Sequence, residues 1–253
     1  MTKSLKEILI ENNVTFKDDK IYIPEWVTNI KIDIGLSFDA PHSQNWIDNN
    51  PNLMVFGFEP NLEWVKFLTS PEDRRDRTFK EYHTYTKQME YSNINKKMFV
   101  IPVALSNNFE PTSMELYIPS VSGGCGSLLM PAPSLGNVIK KYSVPVFNLS
   151  NFFELLPLDN IKFIDYIKID VQGVDINVIK GAGKYLSEKV VYLTAEPEID
   201  QYHGAENNSS ESITRYMEEI GFERIYHPGT KDPTFLNKKF KHLQYDIYIW
   251  QHY

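Results

Sequence analysis

Short hydrophobic runs alternate along this chain with amphipathic segments at helical spacing. Residues 4–12 read as a short helix, and VTFKDDKIYIP (14–24) as a hairpin with Lys17-Asp18-Asp19-Lys20 at its turn. IKIDIG (30–35) is the first strong core strand. SQNWIDNN is expected to be helical until Pro51, LMVFGFEP (53–60) a second strand, and NLEWVKFLTS a second helix. On that helix the spacing turns Leu62 and Val65 to the core, with Trp64, Phe67 and Leu68 as further candidates. MFVIPVALS (98–106) reads as a third strand, SMELYIPS as an added one, and SGGCGSLLMPAPSLG (122–136) as a glycine- and proline-punctuated loop. YSVPVFNLSNFFELL (142–156) is an extended piece leading into a helix. FIDYIKIDVQG (163–173) is a buried strand followed by the helix VDINVIKGAGKYL, and VVYLTAEPEI (190–199) is the next strand. ESITRYMEEIGF is an amphipathic helix stopped at Gly221, and ERIYH and QYDIYIWQHY are the last two strands. The polar stretch 71–97 reads as a solvated helix and loop, with a mobile lid as the alternative.

Alternation of strand and helix predicts a parallel sheet covered on both faces. Ligands of such sheets bind beyond the carboxyl ends of the strands. Those ends carry Asp33-x-Gly35, Glu59-Pro60-Asn61, Ala104-Leu105-Ser106, Asp170-x-Gln172-Gly173 and Glu196-Pro197-Glu198. A row of acids at strand ends asks for a chemical reason.

Composition narrows the class. With 15 Phe, 15 Tyr and 4 Trp, the chain carries enough large apolar surface for a folded core. A net charge of -7 argues against nucleic acid or an anionic membrane as the general partner. Cys125 is the single cysteine, which rules out an intrachain disulfide. The first residues, MTKSLKEILIENN, lack the apolar run of a signal peptide, and no segment approaches the length of a membrane span. A cytoplasmic protein is expected.

Five motifs in order then acquire a meaning. Asp33-Ile-Gly35, Phe58-Glu59-Pro60-Asn61, Val103-Ala-Leu-Ser106, Lys168-Ile-Asp170-Val-Gln172-Gly173 and Ile179-Lys-Gly181-Ala resemble the FkbM family of S-adenosylmethionine-dependent methyltransferases. The resemblance runs from about residue 30 to the C-terminus. It implies an α/β, Rossmann-like class I methyltransferase fold: a seven-stranded, mostly parallel sheet with its last strand antiparallel and helices on both faces. One domain is expected over 1–253, with a helix-and-hairpin extension (1–29) and an inserted strand and Gly/Pro-rich loop (107–150) over the active-site edge. The family's first loop usually reads Asp-x-Gly-Ala-Asn-x-Gly, whereas here Leu36, Ser37 and Asp39 depart from it. The alternative for that stretch is a strand followed by a helix capped by Ser37 or Asp39.

The resemblance implies that adenosylmethionine is held by Asp33, Gly35, Ser37, Glu59, Asn61, Ser106 and Asp170. Glu59, at the end of the second strand, suits a bidentate acceptor of both ribose hydroxyls, the use an acid has there in dinucleotide folds. The alternative is a helix-capping acid before Pro60. Asp170 ends an apolar strand, near the implied methyl-transfer point, and is the first candidate for orienting or deprotonating an acceptor. His203 and Glu196 are the further catalytic candidates. Lys168, Gln172, Tyr202 and His42 are the expected acceptor contacts. Lys168 shares a strand face with Asp170 and can lower its pKa, or the two form a structural ion pair. The family usually has Glu where Gln172 stands, and a glutamine is no base. No His/Cys/carboxylate spacing marks a zinc site; a hard-metal site at Asp170 and Glu196 is conceivable but none is assigned. Cys125, between glycines, reads as incidental.

The characterised members of the family mostly O-methylate hydroxyls, many on sugars or natural products, so an O-methyltransferase for a sugar or glycan hydroxyl is the leading expectation. Another small-molecule or lipid acceptor, and a non-catalytic binding protein that kept the fold, stay open.

Overall fold

The computed structural model describes residues 3–72, 89–108, 110–227 and 230–243. Along the chain these form α1 (Leu5–Glu11), β1 (Phe16–Lys17), β2 (Lys20–Ile21), β3 (Asn29–Ile34), α2 (Pro41–Asn49), β4 (Leu53–Phe58), α3 (Leu62–Thr69), β5 (Met98–Ile101), β6 (Ala104–Ser106), β7 (Thr112–Pro119) and β8 (Val138–Asn148). There follow α4 (Leu149–Leu155), β9 (Ile164–Ile169), α5 (Asp175–Gly181), α6 (Tyr185–Lys189), β10 (Val190–Ala195), α7 (Ser210–Glu219), β11 (Phe222–Ile225) and β12 (Thr234–Asn237).

The main sheet has seven strands in the order β11-β12-β10-β9-β3-β4-β5. β3, β4, β5, β9 and β10 pair in parallel, while β12 runs antiparallel to both β10 and β11. This is the mostly parallel seven-stranded sheet expected, with its final strand reversed. That strand is Thr234–Asn237, a stretch the hydrophobic pattern passed over. QYDIYIWQHY, expected as the last strand, and most of the 71–97 stretch lie outside the described residues.

Side-chain alternation along the strands divides the core into two layers. Ile30, Ile32, Ile34, Phe56, Phe58, Ile167 and Ile169 face one side, where Phe152 and Phe153 of α4 and Val178 and Ile179 of α5 cover them. Val55, Val100, Tyr166 and Tyr192 face the other, under Trp46 and Ile47 of α2 and Val65 and Leu68 of α3. On α3, Trp64, Val65, Phe67 and Leu68 are buried but Leu62 is exposed, so the first of the two core positions assigned there is a surface one.

MFVIPVALS is two strands. Pro102 has no N–H to give to a ladder, and the chain leaves the main sheet there. β6 pairs instead with β8, in a separate sheet of order β6-β8-β7. Among the described residues no helix is long and apolar enough to cross a membrane.

Candidate active site

The carboxyl ends of β3 and β4 open into a cavity of about 630 Å³, its mouth included. Ile34, Gly35 and Ser37 line one side, with Glu59, Asn61 and Trp64 beside them and Val103, Ala104 and Leu105 behind. Asp170 and Gln172 form the floor, and Gly123, Gly124, Gly126, Ser127 and Leu128 the roof.

Glu59 is 6% exposed. One carboxylate oxygen accepts the Ser37 N–H at 2.9 Å and the other the Asn61 N–H at 2.8 Å. Burial outweighs these two donors and pushes its pKa up to about 7. Glu59 thus braces the loop entering α3 and lines the cavity. Ser37 meets Glu59 because its backbone is left-handed, φ 58°. Asn61 caps α3, its side chain accepting the Glu63 N–H.

Gly35 has φ +89°, and a Cβ there would stand 1.8 Å from the Asp170 carbonyl oxygen. The close approach that demands glycine is thus between the ends of β3 and β9; Gly35 borders the cavity as a consequence. Neither Ser37 nor Asp39 caps α2. Ala40 stands at that position with φ 44°, and Pro41 begins the helix.

Two of the expected cofactor contacts stand elsewhere. Asp33 is 1% exposed and accepts the Ser43 hydroxyl at 2.6 Å. In register it pairs with Lys168 across β3 and β9, on the face under α2, while its neighbour Ile34 lines the cavity. Burial raises the Asp33 pKa to about 6, against the pull of Lys168. Ser106 is buried too, but it has followed β6 out of the main sheet, and its carbonyl packs on Gly181, where a Cβ would come within 2.2 Å. The residues before it, Val103–Leu105, line the cavity in its place.

Asp170 gathers the remaining polar groups. Lys168 Nζ donates to its Oδ2 at 2.9 Å and Gln172 Nε2 to its Oδ1 at 2.7 Å. Burial would raise its pKa, but Lys168 and hydrogen bonds from Glu196, Lys168 and Gln172 hold it below the usual carboxylate range. Glu196 moves the other way, up to about 8, through burial and the charge of Asp170, to which its carboxyl donates. The two acids together hold one proton at neutral pH. Burial would lower Lys168, but Asp170 and Asp33 more than reverse this and fix it as a cation. His42, half-buried on α2, feels Lys168 and Asp170; burial first and Lys168 second push its pKa down to about 3, so it is neutral. The structure thus brings Glu196, Lys168 and His42 into one electrostatic group around Asp170, which alone of the four lines the cavity.

His203 does not join it. Its side chain is exposed and its backbone N–H bonds the Met130 carbonyl, so the assignment as a base has no geometric support. Tyr202 is buried, with its hydroxyl against the Gln172 Oε1 and the Cys125 carbonyl, both at 2.9 Å. With Gln172 engaged on Asp170 and Tyr202 alike, neither side chain is an open acceptor contact. Asp175, within the helix VDINVIKGAGKYL, carries no sign in the sequence of being a functional acid, yet it is fully buried. It accepts the Asn208 amide and the Glu196 N–H, and burial followed by Asp170 raises its pKa to about 8. Trp64 and Ser127 were also missed. The hydrophobic pattern marks the first as core and the second as loop, and neither carries a local sign of the pocket.

The sequence model of the methyltransferase FkbM domain matches residues 44–224, more than half of the chain. The chain belongs to the FkbM methyltransferase family. The match includes Glu59, Asp170 and Glu196 and begins after Asp33-x-Gly35. No curated protein matches the sequence. The solved 30S ribosomal A1408 methyltransferase from an uncultured bacterium aligns over 93% of this chain and 92% of its own at 8% identity. Its TM-score of 0.32 is too low to carry an argument.

An FkbM methyltransferase implies adenosylmethionine, and the residues present fit it. Each Glu59 oxygen takes one backbone N–H and keeps a lone pair for a second donor. A vicinal diol supplies two such donors, and ribose is one. Among the described residues no cluster of His, Cys, Asp and Glu has the makings of a metal site.

Proposed function

We propose that this methyltransferase uses S-adenosylmethionine to O-methylate a hydroxyl of a sugar or glycan. The observation that carries the reading is a pair of acids in one cavity. Glu59 is anchored by backbone amides, and Asp170 is held ionised by Lys168 and Gln172. When bound, adenosylmethionine supplies a methyl group on a sulfonium centre, already activated for in-line displacement. The protein's work is then alignment and a base.

Glu59 takes the ribose hydroxyls and fixes the cofactor's orientation. The roof residues Gly123–Leu128 and Trp64 exclude water. Asp170 orients the acceptor hydroxyl and takes its proton. Glu196 arrives protonated, so it serves as a hydrogen-bond donor to Asp170 and not as a second base. The charge balance favours a neutral acceptor rich in hydroxyls. Burial and the Asp170 charge raise the cost of ionising Glu196 and Glu198, and the Lys168 charge is matched by Asp170 and Asp33. A phosphorylated or carboxylated acceptor meets net repulsion there.

Two measurements test the reading. Calorimetry with adenosylmethionine gives binding, and transfer of a labelled methyl group to a panel of glycans, lipid hydroxyls and small amines identifies the acceptor class. Label on a glycan hydroxyl is the expected result. Label confined to lipids or amines contradicts the acceptor assignment, and cofactor binding without transfer to any of them favours a binding protein that kept the fold.

A further inference from the structure

Gln172 follows β9 with a left-handed backbone, φ 58°, a conformation that is strained for a residue with a Cβ. Glycine would occupy the position without strain, so the side chain has a reason to be there. Its neighbour Gly173, φ +91°, continues the turn, and a Cβ on it would meet the Tyr202 ring at 3.0 Å. The Tyr202 ring therefore packs directly on the turn that presents Gln172.

Three hydrogen bonds run from Gln172 to other parts of the site. Its Nε2 donates to Asp170 Oδ1 at 2.7 Å, its Oε1 accepts from the Tyr202 hydroxyl at 2.9 Å, and its carbonyl accepts from Ser127 Oγ at 2.6 Å. The Tyr202 hydroxyl is equally close to the roof carbonyl of Cys125. Tyr202 is itself part of the roof's support. The Met130 carbonyl accepts the His203 N–H, and the Ala132 N–H donates to Gln201 O. Asp170 is on the floor, and Ser127, Cys125 and Tyr202 belong to the roof and its support.

The chemistry of the amide fixes its direction. An ionised Asp170 only accepts, so the NH2 end must face it, which leaves the amide oxygen for the tyrosine. A carboxylate at position 172 makes one of these contacts and is repelled at the other. We infer that Gln172 is a positioning residue that ties the roof of the cavity to Asp170, so that a seated roof and a correctly oriented acid come together. The inference rests on the reading of Asp170 as the acceptor-facing acid, and it reassigns Gln172 from contacting the acceptor to orienting the group that does.

The test compares wild-type protein with Gln172→Met, Gln172→Glu and Tyr202→Phe, without ligand. Amide hydrogen exchange is followed over residues 122–130 and over the strands of the main sheet from pH 5 to 9, and the Asp170 carboxyl is titrated by 13C NMR. In Gln172→Met the roof exchanges about tenfold faster than in wild type at every pH, the worth of a hydrogen bond or two. The strands are unchanged, and the Asp170 pKa rises. In Gln172→Glu the Asp170 charge alongside raises the pKa of the introduced carboxyl, so the roof is protected at pH 5, where that carboxyl is protonated and can donate, and opens by pH 8. Tyr202→Phe loosens the roof from the other side and leaves Asp170 titrating closer to wild type than Gln172→Met does.

Roof exchange equal to wild type in Gln172→Met, or pH-independent protection in Gln172→Glu, overturns the inference. So does faster exchange spread evenly over the whole sheet, which marks a merely structural residue. These readouts decide the tie whether or not wild-type protein binds adenosylhomocysteine, the separate measurement that decides the cofactor reading.

Discussion

Glu59→Gln separates the two tasks assigned to this acid. The amide keeps the shape of the carboxylate, but one of its ends becomes an NH2. Whichever way it turns, that end faces a backbone donor, Ser37 N–H or Asn61 N–H. A buried donor set against another donor costs about 1–3 kcal/mol. That cost is present with and without ligand, so it is read in the melting temperature. Partly offsetting it, the variant no longer buries a group that resists ionisation. What falls on binding alone is the charge-assisted acceptor for one ribose hydroxyl, about 1.5–3 kcal/mol. This corresponds to a Kd for adenosylhomocysteine weakened about 10- to 150-fold. The pH dependence provides a second signature. Hydroxyls donating to Glu59 favour its ionised form, so binding releases a proton wherever the free acid is protonated. With a free pKa of about 7, wild-type affinity rises with pH up to about that value, and the affinity of Glu59→Gln does not. Calorimetry in buffers of different ionisation enthalpy measures both quantities. A folded Glu59→Gln protein with wild-type affinity and wild-type proton release would refute the ribose assignment.

Three further outcomes follow from the same geometry. Asp170→Asn removes the base and leaves the cavity, so the single-turnover rate should fall about 10²–10⁴-fold with a much smaller change in adenosylhomocysteine affinity; a wild-type rate in the folded variant removes Asp170 from the chemistry. Gly35→Ala sets a methyl 1.8 Å from the Asp170 carbonyl at φ +89°, so it should lower the melting temperature steeply or fail to fold, and a wild-type melting curve would show that the β3–β9 junction yields. Stability without ligand should fall as pH rises from about 6.5 to about 8. Glu59, Asp175 and Glu196 have folded pKa values near 7, 8 and 8 against ordinary values near 4, so the stability they contribute when protonated is lost from about pH 4 upward, and this range is where the loss is completed. His42, held neutral with a pKa near 3, acts oppositely but only below about 6.5. Melting temperatures that rise over this window contradict the assignment of these acids as buried.

The sheet was legible because its parallel strands are nearly unbroken apolar runs, and IKIDIG, LMVFGF and FIDYIKID declare themselves without tertiary context. The acids at the strand ends were legible by position but not by direction. Asp33 and Ile34 are adjacent, yet only one of them can face the cavity, and the helix that draws Asp33 away does so through Ser43, ten residues on. Pro102 marks the place where one apolar run becomes two strands of two sheets, and a run that looks continuous in sequence gives no hint that Ser106 belongs to the second. β12 has no sequence signal because four residues, TFLN, carry too little periodicity; their antiparallel pairing with β10 and β11 is what makes them a strand. The roof was recognised as a loop over the sheet edge, but its attachment to the floor depends on contacts between residues far apart in sequence. Ser127 with Gln172, and Trp64 with Gly123, have no signature in local pattern.

The central claim is that one cavity holds adenosylmethionine by Glu59 and directs its methyl group toward Asp170. A crystal structure with adenosylhomocysteine tests it most directly. The account predicts both ribose hydroxyls at about 2.5–2.7 Å from the Glu59 carboxylate oxygens, the ligand beneath the roof, and its sulfur on the Asp170 side of the cavity. A ligand whose ribose lies away from Glu59, or whose sulfur is turned from Asp170, contradicts it.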